Sequence, residues 1–68
     1  MSAFRDHDHS IGDELEVKRI PDGYGDITYL VGLKVRVNSI RGAILSVMVV
    51  SSGEYEGFTY DLSYICFE

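Results

Sequence analysis

The stretch from Val31 to Val50 reads VGLKVRVNSIRGAILSVMVV and decides the fold class. Its first part alternates apolar residues with glycine, basic or amide residues, and this period of two predicts a strand with one apolar and one basic face. Arg41-Gly42 predicts the turn of a hairpin. The part from Ala43 to Val50 is apolar on both faces, so we expect a strand that is either covered twice or presents an adhesive surface.

Charged residues alternate with apolar ones before this stretch and predict a first strand around Leu15 and Val17. Pro21-Asp22-Gly23 ends that strand with turn chemistry, and Gly25-Asp26 extends the loop. Residues 1–10 are polar and without a period, which predicts a flexible amino-terminal arm ahead of a single domain at residues 11–68.

Downstream of the central stretch, residues 55–60 are rich in aromatic side chains and predict a fourth strand with Gly57 as a bulge. Residues 61–63 predict one tight helical turn, and residues 64–67 predict a short last strand. No segment of ten residues shows the 3.6-residue period of a helix, so the expected class is all-β.

Two short motifs point to a known architecture. Ile11-Gly12-Asp13-Glu14-Leu15-Glu16-Val17 is similar to the Gly-Asp opening of Src-homology-3-like small barrels, and Asp61-Leu62-Ser63-Tyr64-Ile65 stands where that family places a helical turn before its last strand. The resemblance covers residues 11–68 and implies a five-stranded antiparallel barrel with one short 3-10 turn before the last strand. Tryptophan is absent, and so is the aromatic-rich first strand of the proline-binding members, so the resemblance implies a fold and no particular function. The predicted core is Leu15, Val17, Val31, Leu33, Val35, Val37, Leu45, Val47, Val49, Phe58 and Ile65.

Charge is unevenly distributed along the 68 residues, which carry a formal net charge of -5. Residues 1–33 hold seven acids and three bases, residues 34–41 hold three bases and no acid, and residues 42–68 hold four acids and no base. Binding to nucleic acid is driven by neutralising phosphates, which this chain can do only locally. An acidic surface is better suited to a basic protein partner.

Few residues have the arrangement that catalysis or metal binding needs. His7 and His9, within Asp6-His7-Asp8-His9, could ligate a metal only as an open two-histidine site, and we expect a solvated arm instead. Cys66 lies between Ile65 and Phe67 and is expected at the edge of the core, far in sequence from any histidine base. We therefore predict no enzyme activity, no cofactor and no metal site.

Two charged groups are candidates for electrostatic contacts. Lys34 and Arg36 share one face of the second strand and could bind an anion, although pairing across the sheet with Glu14 or Glu16 is the favoured interpretation. The densest acidic group could bind a basic protein or mimic the phosphates of nucleic acid. That group is Asp13, Glu14, Glu16, Asp22 and Asp26.

The predicted contact surface combines the outward face of the third strand with two tyrosines. Ile44, Met48 and Val50 would be costly to leave in water. Tyr24 lies between two glycines on a predicted loop tip, where burial is difficult, and Tyr55 is the second aromatic candidate. The same surface could pair two copies of the chain as a homodimer.

These expectations favour a non-enzymatic, acidic protein-interaction module of the cytoplasm that binds a protein partner and no membrane. Size and charge alone also suit a phage or mobile-element inhibitor of a host protein. A nucleic-acid-binding barrel that uses Lys34, Arg36 and the tyrosines is one alternative, and an acidic nucleic-acid mimic is another.

Overall fold

The computed structural model describes residues 9–68, which form one antiparallel sheet with the strand order β1-β2-β3-β4. The strands are β1 (Glu14–Glu16), β2 (Lys34–Arg41), β3 (Ile44–Val49) and β4 (Thr59–Ser63). Two 3-10 helices flank them, η1 (Thr28–Leu30) and η2 (Tyr64–Phe67). No helix of this range is long and apolar enough to cross a membrane.

The central hairpin forms where the sequence predicts it. Arg41 pairs with Ile44 across the turn residues Gly42 and Ala43. Gly42 has a φ of 60°, the left-handed value that a type II′ turn requires at its first central residue. β3 alternates as expected, with Leu45, Val47 and Val49 buried on one face of the sheet, which we call the inner face.

An irregularity in β2 changes which of its residues face the core. The pairing with β3 shifts between Val37 and Ser39, so Asn38 is an extra residue in the strand. An extra residue reverses the alternation of side chains beyond it. Val35 and Val37 are therefore buried before the irregularity, and Ile40 packs against the core after it.

The prediction of a closed five-stranded barrel is wrong. Residues 61–63, predicted as a helical turn, belong to β4, and residues 64–67, predicted as the last strand, form η2. Consecutive residues of a strand point to opposite faces, whereas Cys66 and Phe67 are both buried. A 3-10 turn allows both side chains to enter the core, and the Ser63 hydroxyl supports its start by accepting a hydrogen bond from the Ile65 N–H at 3.4 Å.

The sheet is open, and the segment after β1 is hydrogen-bonded to η2 at the carbonyl of Cys66. The Cys66 C=O accepts the N–H groups of Lys18 and Arg19, at 2.7 and 3.2 Å. In the part of the chain that the structure describes, β1 and β4 each pair with one neighbouring strand. Both are therefore edge strands, with backbone groups on their outer sides that no other strand uses.

The predicted second strand starts later than expected. Val31 and Gly32 form a turn after η1, and Gly32 has a φ of 93° that favours glycine. η1 lies in a segment that sequence patterning assigned to a loop and to the start of that strand, and it buries Leu30 completely. The residues between β1 and β2 therefore cover the inner face of the sheet, since Ile20, Tyr24 and Ile27 also pack against the core.

Most of the predicted core is found on the inner face, with three exceptions. Val31, Phe58 and Ile65 are 47%, 52% and 36% exposed, so their assignment to the core was wrong. Leu15 and Leu33 are partly buried against the core. The buried set is Val17, Leu30, Val35, Val37, Leu45, Val47, Val49, Leu62, Cys66 and Phe67.

Candidate functional site: an exposed aromatic patch

Four aromatic side chains meet at one end of the sheet, beside β4. The rings of Tyr29 and Tyr55 stack with centroids 4.3 Å apart and an angle of 18° between their planes. Phe58 meets Tyr55 edge to face at 6.1 Å, and the hydroxyls of Tyr29 and Tyr60 are 3.1 Å apart. We call Tyr29, Tyr55, Phe58 and Tyr60 the aromatic patch. Phe58 and Tyr29 are 52% and 40% exposed, so the patch presents ring surface to solvent.

A local backbone feature explains why Phe58 is exposed. The Val49 C=O accepts the Gly57 N–H, and the Val49 N–H donates to the Phe58 C=O, both at 2.9 Å. Two residues thus face one, with Gly57 at a φ of 89°, which is the hydrogen-bonding pattern of a G1 bulge. The predicted bulge at Gly57 is confirmed. It places Phe58 at the start of β4 but beyond the buried part of the inner face.

Hydrogen bonding within the patch raises the pKa of one of its phenols, Tyr60. The hydrogen bond to the Tyr29 hydroxyl, followed by burial, raises the pKa of Tyr60 to about 12. Near neutral pH the patch therefore offers ring faces and hydroxyl groups, and Tyr60 carries no negative charge. Neutral amphipathic rings of this kind suit contact with a peptide or protein surface.

The segment around the patch is acidic. Glu54 and Glu56 flank Tyr55 and are exposed, and neither belongs to an ion pair within residues 9–68. Asp61 of β4 is linked to the Ser46 hydroxyl at 2.7 Å and lies 3.7 Å from the Arg41 guanidinium. Aromatic rings with free carboxylates beside them favour a partner that is both apolar and basic.

The residues of the predicted contact surface do not form one surface. Ile44 and Met48 alternate with the buried residues of β3 and so lie on the outer face of the sheet, where both are partly buried. Val50 follows β3 and is also partly buried. Tyr24 and Tyr55 pack against the core on the inner side. Only Tyr55 contributes to the aromatic patch.

Tyr24 is not an exposed loop tip. Its ring packs against the core, and its hydroxyl accepts the Ser63 N–H at 2.8 Å. The flanking glycines, with φ values of 102° and 76°, let the chain turn so that the ring points inward. The expectation of an exposed ring was wrong because flanking glycines show where a chain turns, not which way a side chain points.

The acidic group of the sequence is divided between two regions. Glu14 and Glu16 lie on the outer face of β1, and Asp22 and Asp26 are exposed in the loop that follows it. The Asp13 carboxylate accepts the Ser10 N–H at 2.9 Å. The five acids are therefore divided between β1 with the turn before it and the loop after it.

Lys34 and Arg36 share the outer face of β2, as predicted. The Arg36 guanidinium is 2.9 Å from the Glu14 carboxylate, and their residues are register partners, which confirms pairing across the sheet. Lys34 is the register partner of Glu16, but these two form no ion pair in the described part of the chain. One free ammonium remains as the candidate anion contact. It borders a cleft of ≈ 420 Å³ beside β1, whose lining mixes both charges: Glu14, Leu15, Glu16, Lys18, Lys34 and Phe67.

Cys66 is buried, as expected for a small apolar side chain, and burial raises the pKa of its thiol. A buried thiol with a raised pKa is a poor nucleophile. The His9 ring contacts Phe67 edge to face at 6.2 Å, while His7 lies outside the described residues. Within residues 9–68 no three His, Cys, Asp or Glu residues are grouped so that they could hold a metal ion.

Sequence reasoning missed most of the patch. The sequence offers Tyr29 and Tyr60 only as members of a group of five tyrosines, of which about half were expected in the core, and it predicts Phe58 as a core residue. The one available signal was Gly57, because a bulge at that position interrupts the regular ladder just before Phe58. No family model, curated protein or solved structure matches the chain, so the site is defined by its own geometry.

Proposed function

We propose that this chain is a non-enzymatic protein-interaction module that binds a partner protein through the aromatic patch. The observation that carries the proposal is the mutual packing of Tyr29, Tyr55 and Phe58 at the edge of the core, with Phe58 52% exposed and Tyr29 40% exposed. Covering the exposed part of a ring of this size contributes about 1–2 kcal/mol to binding. Rings that already pack against each other lose little rotamer freedom on binding.

The partner's contact segment is apolar and basic in this proposal. Glu54 and Glu56 provide negative charge beside the rings, and residues 42–68 contain no basic residue. Charges at the rim of an interface chiefly raise the association rate and select the partner, whereas covered rings supply most of the affinity.

The alternative of a nucleic-acid-binding module receives less support. The Arg36 guanidinium is already bound to Glu14, and the aromatic patch is surrounded by carboxylates that repel phosphates. Aromatic stacking of bases needs a basic groove around the rings, and the basic residues of β2 lie on the outer face of the sheet, away from the patch.

Affinity capture from nuclease-treated lysate of the expressing cells tests the proposal, with Phe58→Ala as the patch variant and Met48→Ala as the matched control. Met48 lies on the outer face and is apolar and partly buried, so its replacement shortens an apolar side chain away from the patch. We expect Met48→Ala to retain the captured protein and Phe58→Ala to lose at least four-fifths of it, corresponding to about 1 kcal/mol. Equal capture by both variants, or capture that disappears with nuclease, contradicts the proposal.

A further inference from the structure

Beside the aromatic patch, β4 has backbone groups that no strand uses. The Val49 N–H donates to the Phe58 C=O, and the Tyr64 N–H donates to the Ala43 C=O, both at 2.9 Å. In an antiparallel ladder, alternate residues bond to the neighbouring strand and the residues between them point away. Counting by two from Phe58 to Tyr64, the N–H and C=O groups of Thr59 and Asp61 face away from β3.

This open edge is short and has defined ends. At its far end the Ser63 N–H is already bound to the Tyr24 hydroxyl at 2.8 Å. At its near end the Phe58 N–H donates to the Tyr55 C=O at 3.1 Å. Thr59 and Asp61 are exposed, and no strand of residues 9–68 pairs with β4 on this side. Two donors and two acceptors are therefore available to an incoming chain.

The side chains along this edge specify the chemistry of such a chain. On the inner side, Tyr60 and Phe58 offer apolar ring surface next to the edge. On the outer side Asp61 carries a negative charge that the Arg41 guanidinium, 3.7 Å away, partly offsets. The residues just before β4 include Glu56, which belongs to no ion pair within residues 9–68. A strand laid along β4 places alternate side chains on these two sides. The edge thus matches a segment that alternates apolar and basic residues.

We propose that the Thr59–Asp61 edge of β4 is a docking edge for an extended basic segment of a partner protein, which adds to the sheet as a strand. The proposal rests on the proposed function and deepens it by naming how the partner binds. When a strand is added to a sheet edge, its backbone hydrogen bonds supply affinity and its alternate side chains supply specificity.

A second copy of the chain is a poorer occupant of this edge. Two β4 edges paired antiparallel about Asp61 would bring two copies of that carboxylate opposite each other. Like charges placed opposite each other across a strand pair are destabilising. The charge of this region therefore favours a basic partner over self-association.

The test uses the whole protein and a capped octapeptide of alternating lysine and valine. Its controls are a peptide with four lysines followed by four valines, an alternating glutamate–valine peptide, and the alternating lysine–valine peptide with N-methyl groups on every second amide. Two-dimensional NMR follows binding, and hydrogen exchange follows the amides of Thr59 and Asp61. We expect the unmethylated alternating basic peptide to bind more tightly than all three controls and to slow exchange at both amides at least tenfold.

Two glutamate variants test the contribution of charge. Glu56→Gln should raise the Kd of the alternating basic peptide about threefold, whereas Glu16→Gln on the opposite edge strand should leave it unchanged. Unchanged exchange at Thr59 and Asp61 under saturating peptide, equal binding of the N-methylated peptide, or no binding overturns the docking edge. If the captured partner still depends on Phe58 in that case, the proposed function stands and only the strand-addition mode is rejected.

Discussion

Two single variants, Phe58→Ala and Leu62→Ala, test whether the aromatic patch is an exposed surface or part of the core. Phe58, the residue just before β4, and Leu62 within β4 lie on the same face of the sheet, yet Leu62 is fully buried and Phe58 is 52% exposed. If the patch is a contact surface, Phe58 contributes little to folding. Leu62 is the register partner of Leu45 on β3 and contributes strongly to the free energy of folding.

The expected magnitudes follow from burial. A fully buried phenylalanine changed to alanine costs about 3–5 kcal/mol, so a residue with half its surface exposed costs about 1–2 kcal/mol. Leu62→Ala removes a fully buried side chain, and its cost is about 3 kcal/mol. A core this small supplies a total of about 3–5 kcal/mol. Phe58→Ala therefore remains folded, and Leu62→Ala approaches its unfolding midpoint without denaturant.

Urea unfolding followed by circular dichroism measures both values, and an unchanged m-value confirms that the unfolding transition is comparable. The reasoning is refuted if Phe58→Ala lowers the free energy of unfolding by as much as Leu62→Ala. Phe58 would then be a core residue, and the aromatic patch would have no free surface to offer a partner.

Four further predictions concern the groups around the patch and the core. Tyr29→Phe removes the hydrogen bond that raises the pKa of Tyr60, so ultraviolet titration should show that pKa falling from about 12 toward 10; no change would show that the hydroxyl contact is absent. In the unmodified protein the folded state keeps the Tyr60 proton that the unfolded chain releases above pH 10. The contribution of Tyr60 to the free energy of unfolding is therefore present below pH 10 and is lost as the pH rises toward 12. Urea unfolding at several pH values would detect this loss. Gly57→Ala forces a φ of 89° on a residue with a side chain and should destabilise the fold by about 1–2 kcal/mol and shift the NMR signals of Phe58; an unperturbed spectrum contradicts the bulge. The Cys66 thiol, buried and with a raised pKa, should react with a disulfide reagent at least a hundredfold more slowly in the native protein than in urea, and equal rates would contradict its burial.

Regular alternation made the central hairpin predictable. Val35, Val37, Leu45 and Val47 share one face because side chains in a strand repeat every two residues, and Gly42 supplies the φ that the turn requires. The final segment was misjudged because Cys66 and Phe67 are adjacent and apolar, a pattern that fits a buried strand as well as a 3-10 turn. The tertiary structure decides between these two conformations, because Cys66 and Phe67 both enter the core that lies beside β4. A strand would point these two adjacent side chains to opposite faces.

The candidate site was harder to predict than the fold. Tyr29 and Tyr55 are distant in the sequence, and their stacking depends on where η1 lies over the inner face of the sheet. The exposure of Phe58 depends on the bulge that precedes it. Tyr24 shows the opposite error, because it was expected to be exposed. Its hydroxyl accepts the Ser63 N–H at the edge of β4, and its ring packs against the core.

The amino-acid sequence by itself determined the all-β class, the hairpin and its register-setting turn, the two-faced character of β3 and the acidity of the last third of the chain. These properties follow from local alternation, from backbone preference at glycine and from counting charges. The tertiary structure decided that the sheet stays open, that Tyr29, Tyr55 and Phe58 meet, and that β4 keeps a free edge beside them. Those features depend on contacts between residues that are distant in the chain. The free energy of these contacts is set by how the η1 segment and η2 pack on the sheet, and no local sequence pattern contains that information.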